Sequence, residues 1–286
     1  MNATRPGNPD HLPVTVVIGA TSKWQAMGKN TLLAHGNVVD GATVSEGARW
    51  GLGGAIAQKF AREGHLVVVT TRTLANATEL VAAIRDRGGR CLPVALDVGS
   101  ETSVAEAFET IRREVGAPEV AIYNAGYMAG RALPASQELL EHFPVELFDE
   151  AVATACRGPF LVAKQVLPAM RERGRGTFLF SNNQYSLRGR KRHTGESLYY
   201  PRTMMRALAQ ALTEEYSSLG VHVATVVVDG FIDSPGTRAL ERFRDDPSPL
   251  IDPTGIADAF HYLHAQHPSA WTHELQITSP ATLPSH

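Results

Sequence analysis

Val16-Val17-Ile18-Gly19-Ala20-Thr21-Ser22 and Gly51-Leu52-Gly53-Gly54-Ala55-Ile56-Ala57 are two halves of one glycine-rich fingerprint, separated by residues 23–50. With 23–50 set aside, the chain reads as an apolar strand, a glycine turn, a helix and a second apolar strand at 66–70. Glycines in this context let backbone N–H groups and a helix N-terminus touch a pyrophosphate with no Cβ in the way. The 23–50 segment must therefore begin and end beside whatever the glycines hold.

Outward from this junction, apolar runs of strand length alternate with amphipathic helical stretches. The pattern predicts strands at 14–18, 66–70, 91–96, 120–123, 177–181, 221–228 and 274–277, and helices at 52–63, 75–86, 102–115, 145–173, 202–219 and 253–266. Runs such as Val223-Ala224-Thr225-Val226-Val227-Val228 are apolar on both faces, as in a parallel sheet covered by helices. The expected fold is α/β, a doubly wound parallel sheet of about seven strands with helices on both faces. No repeat or linker divides it, so residues 1–286 read as one dinucleotide-binding domain. Pro159 and Pro168 predict a kink or break within 145–173. Stretches 23–50, 127–143 and 229–251 read as long loops, the kind that carries function.

Composition narrows the function classes. The net charge of −2 offers no basic field for nucleic acid, and 43% hydrophobic residues suffice for a large core. Two cysteines, Cys91 and Cys156, provide neither a disulfide framework nor a zinc site and suit a reducing cytoplasm. No metal site is expected. The first eleven residues lack the apolar core of a secretory signal, and no run approaches a membrane span.

Several ordered motifs resemble the short-chain dehydrogenase/reductase family over roughly the whole chain. They are the split glycine turn, Asp97-Val98 after the third strand, Asn124-Ala125-Gly126 after the fourth, Asp229-Gly230-Phe231-Ile232-Asp233-Ser234-Pro235 after the sixth, and the last-strand run Trp271-Thr272-His273-Glu274-Leu275. In the segment after the sixth strand, Asp229 stands where the family usually has proline. The resemblance implies cofactor contacts at Gly19, Thr21, Ser22, Gly51, Leu52, Gly53, Asp97, Val98, Asn124, Ala125, Gly126, Gly230, Ile232 and Ser234. An acidic residue ending the second strand would hold the ribose hydroxyls of NAD. Here the run is Thr70-Thr71-Arg72-Thr73, and Arg72 suits a 2′-phosphate, so NADP is expected over NAD. The resemblance also implies a homodimer or homotetramer, with Phe160, Val166, Met204, Met205, Leu208 and Leu212 as candidate interface residues.

The family's Asn–Ser–Tyr–Lys set is substituted throughout. Its lysine position falls on Arg202, its tyrosine on Leu198, its serine on Asn183 and its asparagine on Ala155. Arg202 keeps the charge but cannot relay a proton. Asn183 can still donate to a carbonyl, whereas Leu198 transfers nothing. Tyr199 is the expected replacement acid, with Tyr200 and Tyr185 as alternatives. Arg49-Trp50-Gly51 resembles a junction in enoyl reductases of the same family, but their tyrosine position falls here on Gly195.

The leading expectation is an NADP-dependent oxidoreductase that moves a hydride between nicotinamide and a carbonyl or activated alkene of a small molecule. Asn183, Tyr199 and Arg202 are its expected catalytic residues, and Arg202 also holds the ribose. The alternatives are an enoyl-reductase-like enzyme and a non-redox nucleotide-binding or sensor protein on the same fold, which the tetrad loss equally motivates.

Overall fold

In the computed structural model, β1 (Val14–Ile18) is buried along its whole length near the middle of a seven-stranded sheet. The structure describes residues 12–21, 46–127, 140–187, 200–238 and 240–284. After β1 come α1 (Glu46–Arg49), α2 (Gly51–Arg62), β2 (Leu66–Thr71), α3 (Thr78–Asp86), β3 (Arg90–Ala95), α4 (Glu101–Val115) and β4 (Val120–Tyr123). The second half runs α5 (Val145–Val152), α6 (Gly158–Arg173), β5 (Gly176–Asn183), α7 (Tyr200–Tyr216), β6 (Val221–Val228), α8 (Pro235–Arg238), α9 (Glu241–Arg244), α10 (Pro253–His264) and β7 (Glu274–Ile277).

The strands pair in parallel in the order β3-β2-β1-β4-β5-β6-β7. Strand order reverses between β1 and β4, which opens a crevice at their carboxyl ends. Alternation along each strand feeds two cores. Val16, Ile18, Phe178, Phe180 and Val223 face a layer built from α4, α6 and α7, through residues such as Phe108, Val166 and Met205. Val17, Leu179, Ala224 and Val226 face α2, α3 and α10, through Ile56, Phe60, Ile84 and Phe260. The doubly wound parallel sheet expected from the sequence is the observed fold.

Local chemistry sets the element ends. Ser100 caps α4 by accepting from the Ser103 amide at 3.2 Å, and Asp252 caps α10 through the Thr254 amide at 2.8 Å, with Pro253 in the first turn. The expected 145–173 helix is interrupted at 153–157 by a π-helical turn just before Pro159, while Pro168 is accommodated inside α6. β5 runs two residues beyond its expected end because Asn182 and Asn183 continue the ladder with Val227 and Val228. The stretch 229–251 is more ordered than a loop. It carries α8 and α9, and a bridge between Ile232 and Ile251 closes it on itself. Of the 23–50 segment, the described residues 46–50 are anchored rather than free of the core. Ala48 is buried and Trp50 packs against the α2–α3–α10 side. The remainder lies outside the described residues.

At the end of the sheet opposite the crevice, histidines cluster inside the protein. His65 Nδ1 lies 2.7 Å from Thr15 Oγ1, His264 Nδ1 lies 3.0 Å from Thr177 Oγ1, and the two rings are 5.3 Å apart beside Phe60. Burial, reinforced by neighbouring imidazoles, pushes both down to about 4. The unfolded chain takes up these protons near pH 6.5, whereas the folded chain resists until about 4. Stability held at neutral pH is therefore lost as pH falls from about 6.5 to 4, by at most about 3 kcal/mol per histidine and less than additively for a coupled pair. Urea unfolding at stepped pH should show this slope, and His65→Gln combined with His264→Gln should flatten it. An unchanged slope in the double variant would assign the acid sensitivity to other groups.

Candidate active site

The glycine fingerprint closes around two close backbone approaches. Gly19 has φ +81°, and a Cβ there would lie 2.7 Å from Ala125 Cα. A Cβ on Gly53 would strike the Gly19 carbonyl and come within 2.8 Å of Asn124 Nδ2. Asn124 Nδ2 donates to the Gly19 carbonyl at 2.9 Å, and Thr70 Oγ1 accepts from the Gly19 amide at 3.2 Å. The expected motif residues thus hold each other, and Asn124 acts first as a strut for the turn. Gly51, at φ +65°, opens α2. Trp50, before it, makes no side-chain cap, and the first turn carries no acid. The opening N–H groups and the positive end of the helix dipole are thereby left for an anion. These features fit a dinucleotide pyrophosphate.

Two neighbouring cavities lie along the crevice. The first, of about 420 Å³, brings together Gly19, Thr21, Arg72, Asp97, Val98, Asn124, Ala125, Gly126 and Arg202. At its outer end Thr21 Oγ1 donates to Thr71 Oγ1 at 2.9 Å, and the exposed Arg72 stands beside Thr73 and Asn76. Asp97 Oδ1 accepts from the Gly99 amide at 3.0 Å, which fixes the carboxylate at the rim. Asn76, Tyr127, Glu150 and Thr154 also line this cavity. None stands in a motif. Asn76 alone had a sequence signal, as a polar residue on the first turn after β2.

The second cavity, of about 280 Å³, gathers Gly51, Leu52, Asn183, Gly230, Ile232, Ser234 and, again, Arg202. Gly53 is buried in α2 and lines neither cavity. Ser22 and Tyr199 lie outside the described residues. Ser234 Oγ is 2.8 Å from Thr237 Oγ1 and accepts from the Thr237 amide at 3.1 Å, so its hydroxyl serves α8. Asn183 Oδ1 accepts from the Tyr185 amide at 3.2 Å, leaving the Nδ2 amide as the group this side chain can offer a ligand. Tyr185 is a buried wall residue of the same cavity.

Arg202 stands between the cavities at the start of α7. Asn182 Nδ2 donates to its carbonyl at 3.1 Å and so ties the first turn of α7 to the end of β5. The guanidinium reaches the Ser181 carbonyl through Nη1 at 3.4 Å, lies 5.4 Å from the Tyr127 ring and flanks Gly126 with Nη2. Ala155, at the position of the family's asparagine, falls in the π turn. The Tyr123 hydroxyl donates there to the Thr154 carbonyl. Full burial raises the Tyr123 phenol pKa against the opposing charge of Arg202, which rules it out as a proton source near neutrality.

The Asp229 substitution has a structural reason. Its amide donates to the Ile277 carbonyl at 2.8 Å, extending the β6–β7 pairing, and its carboxylate accepts from Gln276 Nε2 at 2.6 Å. Proline could not make the first bond.

Among the described residues, no group of three or more His, Cys, Asp or Glu is placed to hold a metal, and no helix is long and apolar enough to cross a membrane. Both cysteines are free thiols, and burial pushes Cys91 up to about 11.

The comparisons with known proteins agree with this geometry. The short chain dehydrogenase family model matches residues 42–245, and the chain belongs to that family. It is 31% identical over 220 residues to the uncharacterized oxidoreductase YxbG of Bacillus subtilis, covering 76% of this chain and 71% of that one. It is 29% identical over 195 residues to the 3-oxoacyl-[acyl-carrier-protein] reductase FabG of Pseudomonas aeruginosa, covering 68% and 74%. An alcohol dehydrogenase from the archaeon Thermococcus sibiricus, solved with 5-hydroxy-NADP, superposes with a TM-score of 0.74 at 19% identity, over 96% of this chain and 100% of that one. The protein is an oxidoreductase of short-chain dehydrogenase type.

Proposed function

We propose that the protein is an NADP-dependent oxidoreductase that transfers a hydride between nicotinamide and a carbonyl, or an activated alkene, of a small molecule through a rebuilt active site. The observation that carries this reading is an intact cofactor cradle beside a substituted catalytic set. The glycine turn, the uncapped α2 N-terminus and Arg72 suit a phosphorylated dinucleotide, while Ala155, Asn183, Leu198 and Arg202 occupy the family's four catalytic positions. When bound, the nicotinamide supplies the hydride chemistry. The Nδ2 amide of Asn183 donates to the substrate oxygen, Arg202 holds the ribose side and sets the local charge, and Tyr199 delivers the proton that completes the alcohol.

The chain works, on this reading, as one dinucleotide-binding domain in the cytoplasm, consistent with two free thiols. A homodimer or homotetramer is proposed through the exposed Phe160 and Met204, with Phe148 and Val145 on the adjoining α5. The interface expected from the sequence is wider than the exposed surface of these helices. Val166, Met205 and Leu212 are buried in the core, and Leu208 packs against it, because these positions form the inward stripes of α6 and α7.

Titration with NADPH and NADH, followed by nicotinamide fluorescence, tests the cofactor assignment. Arg72→Ala should weaken NADPH by about tenfold or more and NADH little, as for the loss of a charge-assisted contact to phosphate. Equal weakening of both, or tighter NADH in the parent protein, would reject the 2′-phosphate role. NADPH binding without turnover on any carbonyl or enone of a broad panel would favour the non-redox reading.

A further inference from the structure

Among the described residues, Arg202 is the one cation lining the second cavity, and Asp233 is the one carboxylate there. Asp233 is already neutralised, because Arg238 grips it through Nε and Nη2 at 2.6 and 2.7 Å. Among the described residues, Arg202 pairs with no carboxylate, and its Nη1 makes a long contact to the Ser181 carbonyl at 3.4 Å. The described lining of the cavity therefore carries a net positive charge and a nearby amide donor in Asn183. A lysine would reach the cofactor side with a single nitrogen. The guanidinium spans both sides, with Nη2 by Gly126 in the cofactor cavity and Nη1 at the end of β5 in the other.

We infer that the substrate carries an anionic group, a carboxylate close to the reacting carbonyl, and that Arg202 binds it across the second cavity. This deepens the proposed hydride transfer and rests on it. The reacting carbonyl must sit against the nicotinamide, beside Asn183, so a carboxylate one or two carbons away falls within reach of the Arg202 fork. An arginine–carboxylate pair in a partly desolvated cavity fixes orientation as well as affinity. Small 2-oxo and 3-oxo acids are the implied substrate class.

The test compares acetoacetate with methyl acetoacetate, which differ by the charge and one methyl group at the carboxyl, in the parent protein and in Arg202→Lys. Turnover with NADPH gives kcat/KM for each. Calorimetry gives the binding of each compound to protein saturated with NADP. The parent should favour the acid by at least about tenfold, and Arg202→Lys should erase most of that preference, both compared at saturating NADPH. An ester used as well as the acid by the parent, or an acid-to-ester ratio unchanged in Arg202→Lys, would overturn the inference. If neither compound is turned over, calorimetry still decides. Arg202-dependent binding of the acid alone would uphold the anion site and count against hydride transfer to this class, whereas absence of selective binding would overturn the anion site.

Discussion

Tyr199→Phe is expected to lower kcat by about two to four orders of magnitude, the usual range for loss of a positioned general acid, while NADPH affinity stays near that of the parent. The expectation follows from elimination among phenols. Leu198 occupies the family's tyrosine position and has no proton to give. The phenol of Tyr123 is fully buried, is bonded to the Thr154 carbonyl and is held protonated by its surroundings. Tyr185 lines the second cavity from the turn after β5 and is the internal comparison. Steady-state kinetics on any accepted carbonyl, with Tyr185→Phe in parallel, separates the candidates. Near-parental turnover in Tyr199→Phe together with a large loss in Tyr185→Phe would move the proton transfer to Tyr185. Near-parental turnover in both would remove Tyr199 and Tyr185 from the mechanism.

Gly53→Val should weaken NADPH by about a hundredfold or more and lower the melting temperature by several degrees. At this position the glycine turn, the N-terminal turn of α2 and the Asn124 side chain meet. Even a single Cβ would overlap the Gly19 carbonyl and approach Ala20 Cα to 2.9 Å. The atoms in the way are backbone, which cannot rotate aside, so α2 must shift off β1. Overpacking of this kind costs about 1–3 kcal/mol of stability, and the same shift carries the anion-facing N–H groups away from the crevice. Gly64→Ala serves as a control for glycine loss by itself, since a Cβ there meets nothing within 4 Å, although its φ of +87° still carries backbone strain. Thermal unfolding and nicotinamide fluorescence on both variants would check the assignment. Parental NADPH affinity in Gly53→Val would show that the fingerprint does not form the pyrophosphate site.

The long-range layout was legible in the chain because its signals are local and strong. Apolar runs with no polar face can only be strands buried on both sides, and their alternation with amphipathic helices leaves a doubly wound sheet as the consistent arrangement. The glycine fingerprint was readable across 23–50 for the same reason, since each half keeps its strand or helix context. Asp97, Asn124-Ala125-Gly126 and Gly230 come to one crevice because each directly follows a strand end. What tertiary structure decided was the use to which particular side chains are put. Whether Val166, Met205 and Leu212 faced a partner or the core depended on the rotation of α6 and α7 against the sheet, which apolar spacing alone does not specify. In sequence Asp229 merely replaces the family's proline; its amide pairs with the Ile277 carbonyl, distant in the chain but adjacent in the sheet. Arg202 was placed by sequence register. Its position between two cavities, with its backbone tied to Asn182 and no carboxylate beside it among the described residues, arises only where the end of β5 meets the first turn of α7. Sequence determines such residues' chemistry, whereas their partners come from elements distant in the chain, and only packing brings those together.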